Sequence, residues 1–188
     1  LARLGEFGGL TLPGATLVGL GGVTFLYGEV MAWRETDLKR LLAFSTLAQI
    51  GEITMVIGVG TELALAGALM HVVNHAVMKT LLFFGAGALI LRAGGKSLTD
   101  LAGIGRMMPV TSLCFGIGLL AIMGVPPFSG FVGKFLMIYA SVVAGRIDVA
   151  AVILAGSVIG AMYYARVLRV VFFAPWRGPA VVDVAPSM

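Results

Sequence analysis

The chain has 188 residues, of which 59% are hydrophobic and 12% charged, and its mean hydropathy is +1.03. Soluble domains carry about 25% charged residues, so the composition excludes a soluble globule and points to an all-α polytopic membrane protein. The net charge of +4 does not indicate nucleic acid, because the basic residues fall mostly between apolar runs, where membrane topology accounts for them.

Crossing ~30 Å of hydrocarbon takes ~20 apolar residues. The chain begins with Leu1 and its first residues read as the tail of something longer, so it is expected to be a fragment; no basic segment precedes a short apolar core with a small-residue cleavage site, so no signal peptide is expected. Residues 1–13 read as the end of a preceding helix and a loop, and residues 14–33 as the first span. Glu29, near the end of that span, is expected to pair with Arg34 or Lys39 at the interface. Residues 40–60 form the second predicted span, with Glu52 ~18 Å along it from Arg40 at ~1.5 Å per residue.

The third span, residues 62–91, carries His71, His75 and Lys79 at i, i+4 and i+8. On a helix these form one stripe that drifts by only ~40° per step. Ionisable groups at bilayer depth are costly and face a bundle interior or a water-filled path, so the stripe is expected to face inward and carry protons. The plainer reading is a set of satisfied histidines at a helix contact with a snorkelling lysine. Lys79 lies ~18 Å from Leu91, the depth of Glu52, so Glu52 is the candidate counter-ion of Lys79.

Residues 108–143 are too long for one straight span and are interrupted by Gly124-Val-Pro-Pro-Phe-Ser-Gly130. Two consecutive prolines withhold two N–H groups from the helical ladder, and such backbone is tolerated at membrane depth only where it is buried or lines a cavity. Each half is too short to cross, so the prediction is one span broken at 124–130. Lys134 follows the break near the start of the second half-helix, where the helix dipole and poor solvation disfavour an ammonium. That is the setting of a lysine that exchanges a proton; the alternative is a proline kink with a tethered lysine. Residues 148–173 complete five spans, and residues 174–188, with Pro175, Pro179 and Pro186, are left as an unstructured tail. Cys114 is the sole cysteine, which excludes an internal disulfide and a cysteine-held metal or cluster. Gly85, Gly87, Gly156 and Gly160 are assigned to close helix packing.

In this topology Arg34, Lys39, Arg40, Arg92, Lys96, Arg106, Arg166, Arg169 and Arg177 fall at one face, and Arg3 and Arg146 at the other. The bias puts the loops at 34–40 and 92–106 in the cytoplasm of a prokaryotic inner membrane.

Three segments carry a resemblance: Asp37-Leu-Lys-Arg-Leu-Leu-Ala-Phe-Ser-Thr-Leu-Ala-Gln-Ile-Gly51, Met70-His-Val-Val-Asn-His-Ala-Val-Met-Lys-Thr-Leu-Leu-Phe-Phe84 and Gly124-Val-Pro-Pro-Phe-Ser-Gly-Phe-Val-Gly-Lys-Phe135. In order and separation they resemble the antiporter-like, proton-translocating subunits shared by respiratory complex I, multisubunit Na+/H+ antiporters and energy-converting membrane-bound hydrogenases. The resemblance runs from about Leu1 to Arg169. It implies a subunit built from two inverted five-helix repeats, of which this chain is similar to the second. It also implies that Lys39, His71, His75, Lys79 and Lys134 transfer protons, with Lys134 leading towards the outer surface. Glu52 stands where complex I members often carry tyrosine, and Lys134 departs from the branch that uses glutamate there.

The implied function is proton translocation within a redox-driven complex. Na+/H+ exchange is the alternative, and a purely structural membrane subunit is a reading of another class. No flavin, iron–sulfur, haem or nucleotide motif is present, so no cofactor is expected. The expected partners are the remaining N-terminal part of the same subunit, other membrane subunits, the lipid bilayer, and protons or Na+, with no nucleic acid.

Overall fold

The computed structural model describes residues 12–176. The expected preceding helix end and most of the expected tail lie outside the described residues. The elements are α1 (Leu12–Arg34), α2 (Leu38–Ile57), α3 (Glu62–Ala93), a 3-10 turn (Ile104–Arg106), α4 (Pro109–Met123), α5 (Ser129–Val143) and α6 (Ile147–Leu168), followed by a π turn (Arg169–Phe173). Among the described residues, α1, α2, α3 and α6 with its π turn are long and apolar enough to cross a membrane, whereas α4 and α5 are shorter apolar helices. The chain is thus an all-helical membrane fold. At 15 residues, α4 and α5 each measure ~22 Å and fall short of the ~30 Å core.

Local chemistry sets the helix ends. The Asp37 carboxylate accepts from the Lys39 and Arg40 amides at 2.9 and 3.2 Å and starts α2. The Thr61 hydroxyl accepts from the Ala64 amide at 3.1 Å and starts α3. α4 has Pro109 in its first turn, where no N–H is missed. It ends at Gly124, whose φ of 81° suits glycine alone. The Gly124 and Val125 amides close back on Ala121 and Leu120 at 3.1 and 3.2 Å, so the break does not abandon these carbonyls. After Pro126 and Pro127, α5 begins against α4 so closely that a Cβ on Gly130 would collide with the Ala121 carbonyl.

α1 and α2 pack backbone to backbone. Added Cβ atoms on Gly21, Gly28, Gly51 and Gly58 would each run into main-chain atoms of the facing helix, at Met55, Ala48, Phe25 and Gly14 respectively. Spaced seven apart on each helix, these glycines form one seam of the kind that lets membrane helices approach. Of the glycines expected to serve packing, Gly156 receives Phe25, Gly160 receives Glu29 and Gly85 abuts Phe115, whereas Gly87 faces open space.

At one end of the bundle the loops are clasped. The Leu38 amide donates to Lys96 O at 3.0 Å, the Leu98 amide to Thr36 O at 2.8 Å, and Lys96 pairs with Asp37 at 2.9 Å. Arg166 on α6 donates to Glu35 O at 2.7 Å. Burial alone would raise the Asp37 carboxyl, but Lys96 and the Arg40 and Lys39 amides outweigh it and hold the group below its ordinary value. A carboxyl lowered in the folded state stabilises above its unfolded value of ~3.9 and loses that contribution as pH falls through the folded value. Asp37→Ala is therefore expected to cost about 1 kcal/mol at neutral pH, read as a lower thermal midpoint in detergent. The difference should shrink below pH ~3.9; an unchanged neutral midpoint would contradict the assignment.

Two apolar clusters form the core. One, near the clasp, gathers Leu38, Leu42, Leu82, Leu89 and Leu101; the other gathers Phe25, Val56, Ala64, Ala68 and Met137. On α2 the buried Ser45, Gln49 and Glu52 fall between Leu42 and Val56, and on α3 the buried His71, His75 and Lys79 fall between Ala68 and Leu82, with Ala48 and Met78 of the clusters interleaved among them.

Candidate functional site: a buried polar line

The stripe on α3 faces inward, and His71, His75 and Lys79 are all buried. Lys79 Nζ donates to the Leu42 carbonyl at 2.9 Å, to the Ser45 hydroxyl, and at 3.5 Å to the Tyr164 hydroxyl. Three elements thus hold this ammonium: α3 carries it, α2 supplies Leu42 and Ser45, and α6 supplies Tyr164. His75 stacks on His71, with ring centroids 6.4 Å apart. His71 Nε2 lies 2.9 Å from Gln49 Oε1 on α2. A neutral amide oxygen accepts, which makes Nε2 the protonated nitrogen. Nδ1 of His71 then points at Gly133, where a Cβ would come within 2.8 Å. The stripe therefore reaches the turn of α5 that carries Lys134.

Lys134 is 7% exposed and Glu52 is fully buried. Lys134 Nζ lies 3.9 Å from Glu52 Oε2 and 3.4 Å from the Ser157 hydroxyl on α6. This corrects the pairing expected from depth, because Glu52 meets Lys134 and not Lys79. Counting residues along α3 misplaces the ammonium, because the Lys79 side chain ends against Leu42 and Ser45, ten and seven residues before Glu52 on α2. Ser45 and Glu52 lie on one face of α2 but seven residues apart, so Lys79 meets that helix nearly two turns, ~10 Å, away from Glu52. The Lys134 stem also runs back over the break, with its Cδ 3.5 Å from where a Gly124 Cβ would be, so the hinge glycine makes room for it.

At ~4 Å and an effective dielectric of 20, two unit charges attract by about 4 kcal/mol. Desolvating each ion costs several kcal/mol, so the pair is a poor means of stabilising the fold. Moreover, both Glu52 oxygens lack a hydrogen-bond partner among the described residues, as do His71 Nδ1 and His75 Nε2. Buried polar atoms in this condition are normally satisfied by ordered water. The line thus combines charge, unpartnered acceptors and two imidazoles.

Lys39 is not part of it. Its side chain is exposed at the first turn of α2, on the clasped end of the bundle. Glu29 corrects a second expectation. It is 1% exposed and meets neither Arg34 nor Lys39; its carboxylate lies against Gly160 and near Tyr163 on α6. Sequence reading missed Glu29, Ser45, Gln49, Ser157, Tyr163 and Tyr164. A usable signal existed for Glu29: Phe25 and Glu29 are i, i+4, as are Gly156 and Gly160, so two bulky residues on α1 match two small ones on α6.

A family model described as NADH:quinone oxidoreductase/Mrp antiporter, transmembrane, matches residues 14–160. F(420)H(2) dehydrogenase subunit N of Methanosarcina mazei is 35% identical over 168 residues, spanning 85% of this chain and 34% of that protein. Two solved structures share the fold. The membrane-bound sulfane sulfur reductase, an archaeal respiratory membrane complex, aligns with a TM-score of 0.83 at 30% identity, over 93% of this chain and 35% of the other. Respiratory complex I from Thermus thermophilus aligns with a TM-score of 0.84 at 27% identity, over 93% and 37%. The chain spans about a third of the length of the relatives it matches.

Proposed function

This chain belongs to the NADH:quinone oxidoreductase/Mrp antiporter transmembrane family, and from its buried line we infer that it is a proton-translocating membrane part of a redox-driven respiratory-type complex. One observation supports this above the others: the Lys134–Glu52 pair sits beside the α4–α5 break and next to the imidazole stripe that leads to Lys79. Protons pass from Lys79 through His75 and His71 to Lys134, with water joining groups that do not touch. Lys39 serves as the entry group at the exposed end. Glu52 is the counter-ion of Lys134, so a change in charge elsewhere in the complex moves the proton by shifting this pair.

In this reading α4 and α5 together make one crossing, the fourth of five, and the clasped loops face the cytoplasm of a prokaryotic inner membrane. The rest of the subunit and further membrane subunits complete the path and couple it to electron transfer. The same residues would serve Na+/H+ exchange. Proton flux driven by a Na+ gradient alone, with no electron donor, would favour that alternative.

Lys79→Met tests the proposal, since it keeps the approximate volume and removes the exchangeable proton. In sealed vesicles holding the assembled complex, donor oxidation should no longer acidify or alkalinise the lumen at the native rate, with a loss of about a hundredfold or more. A native rate in an assembled complex would leave the stripe a structural feature.

A further inference from the structure

Lys79 has two sets of polar neighbours. On α3 it is followed by His75 and His71. On the opposite side its ammonium reaches the Tyr164 hydroxyl at 3.5 Å. Tyr164 is packed on Tyr163, with ring centroids 4.4 Å apart. The Tyr163 hydroxyl and the Glu29 carboxylate meet at Gly160. The space above Gly160 joins them: the point that a Cβ would occupy is 3.3 and 3.6 Å from the two Glu29 oxygens and 3.7 Å from the Tyr163 hydroxyl. Because residue 160 is glycine, that space is free. Glu29 Oε2, which borders it, has no hydrogen-bond partner among the described residues.

Beyond Glu29 the seam of α1 and α2 gives the next distance. Gly28 abuts Ala48 and Phe25 abuts Gly51, so the position opposite Glu52 is near residue 24. That is five residues from Glu29, about 7.5 Å along the axis, a gap that one or two waters span.

We propose that Lys79, Tyr164, Tyr163 and Glu29 form a second proton branch, which runs past the histidines and rejoins the first at the Glu52–Lys134 pair. The inference rests on the proton-translocating reading and adds residues on α1 and α6 to it. In one passage the Lys79 ammonium loses an N–H proton to the Tyr164 oxygen, which releases its own proton to Tyr163. Tyr163 passes its proton to the Glu29 carboxylate. Both tyrosines end as they began, Lys79 becomes an amine and Glu29 a carboxylic acid. Glu29 then gives its proton through water to Glu52 and on to Lys134 when that group is an amine. No electrons move, and each O–H or N–H bond broken is matched by one formed.

The test uses the assembled complex in sealed vesicles. Glu29→Gln should lose part of the proton flux, and His71→Gln with His75→Gln should lose another part. The triple variant should fall to background. Parallel routes require this pattern, whereas a single histidine route would make the triple variant no worse than the histidine pair. The infrared difference spectrum of the complex during turnover should lose a carboxylic acid band in Glu29→Gln, which a packing role would not remove. Should Glu29→Gln fail to assemble, Tyr163→Phe carries the test, because it keeps the ring and deletes only the hydroxyl. Full native flux in assembled Glu29→Gln or Tyr163→Phe would overturn the branch. The two levels separate cleanly: native flux in Lys79→Met defeats the underlying reading, whereas loss in Lys79→Met with native flux in Glu29→Gln defeats the branch alone.

Discussion

Replacing Lys134 by Met is expected to stop proton transport by the assembled complex, with a loss of about a hundredfold or more. Lys134 is the cationic partner of the buried Glu52 and stands beside the helix break, so every route proposed here passes through it. Met fills a similar volume but carries no exchangeable proton. The substitution also leaves Glu52 buried without its cation, and removing one partner of such a pair typically costs about 3–5 kcal/mol. Adding Glu52→Gln to Lys134→Met deletes the stranded carboxylate, so this double variant should assemble better than the single one and still fail to transport. Lys134→Arg is the sharper control. It keeps a cation for Glu52 but cannot release a proton in the working range, so assembly should persist while flux is lost. Native flux in any of these assembled variants would reduce Lys134 to a structural role.

The second large effect is expected at Gly51, where α1 and α2 touch through their main chains. A Cβ there already collides with the backbone of Phe25, and backbone cannot swing aside as a side chain can. Overpacking of a filled core costs about 1–3 kcal/mol even where side chains can adjust. Gly51→Leu should exceed that range, separate α1 from α2 and displace Glu29 and Glu52 together. The measurement is the amount of assembled subunit and its thermal midpoint in detergent, both of which should fall steeply. Gly19→Leu, on the facing helix α1, is the control, since a Cβ at Gly19 meets nothing within 4 Å; it should leave both values near native. Comparable losses at Gly19 and Gly51 would show that the seam has no special role.

The contrast between these sites explains what reading the chain alone could reach. The spacing of His71, His75 and Lys79 dictates a shared helix face because 3.6 residues per turn is a local property. The cost of burying charge in hydrocarbon then turns that face inward. Pro126 and Pro127 break a helix for equally local reasons, through missing donors and a clash with the preceding turn. Composition and run length established the membrane class, and the three motifs led to the family. These conclusions needed no knowledge of which helix lies beside which.

Partner choice is different, because it depends on rotation and neighbours. Residue counting puts Glu52 at the depth of Lys79, yet the Lys79 ammonium settles against Leu42 and Ser45, nearly two turns away, and the return of α5 after the break brings Lys134 to Glu52 instead. Glu29 looked like an interfacial residue close to Arg34, but the glycine seam draws α1 against α2, and Gly160 opens α6 to receive its carboxylate. Nothing in the sequence pattern singles out Tyr164, and packing alone brings Lys79, 85 positions earlier in the chain, to its hydroxyl. Periodicity along a helix places side chains on faces, and so the sequence by itself determined the membrane class, the stripe and the break. Which faces meet is decided by packing between helices, through glycine contacts and close approach across the bundle, and only the tertiary structure resolved that for the two buried glutamates.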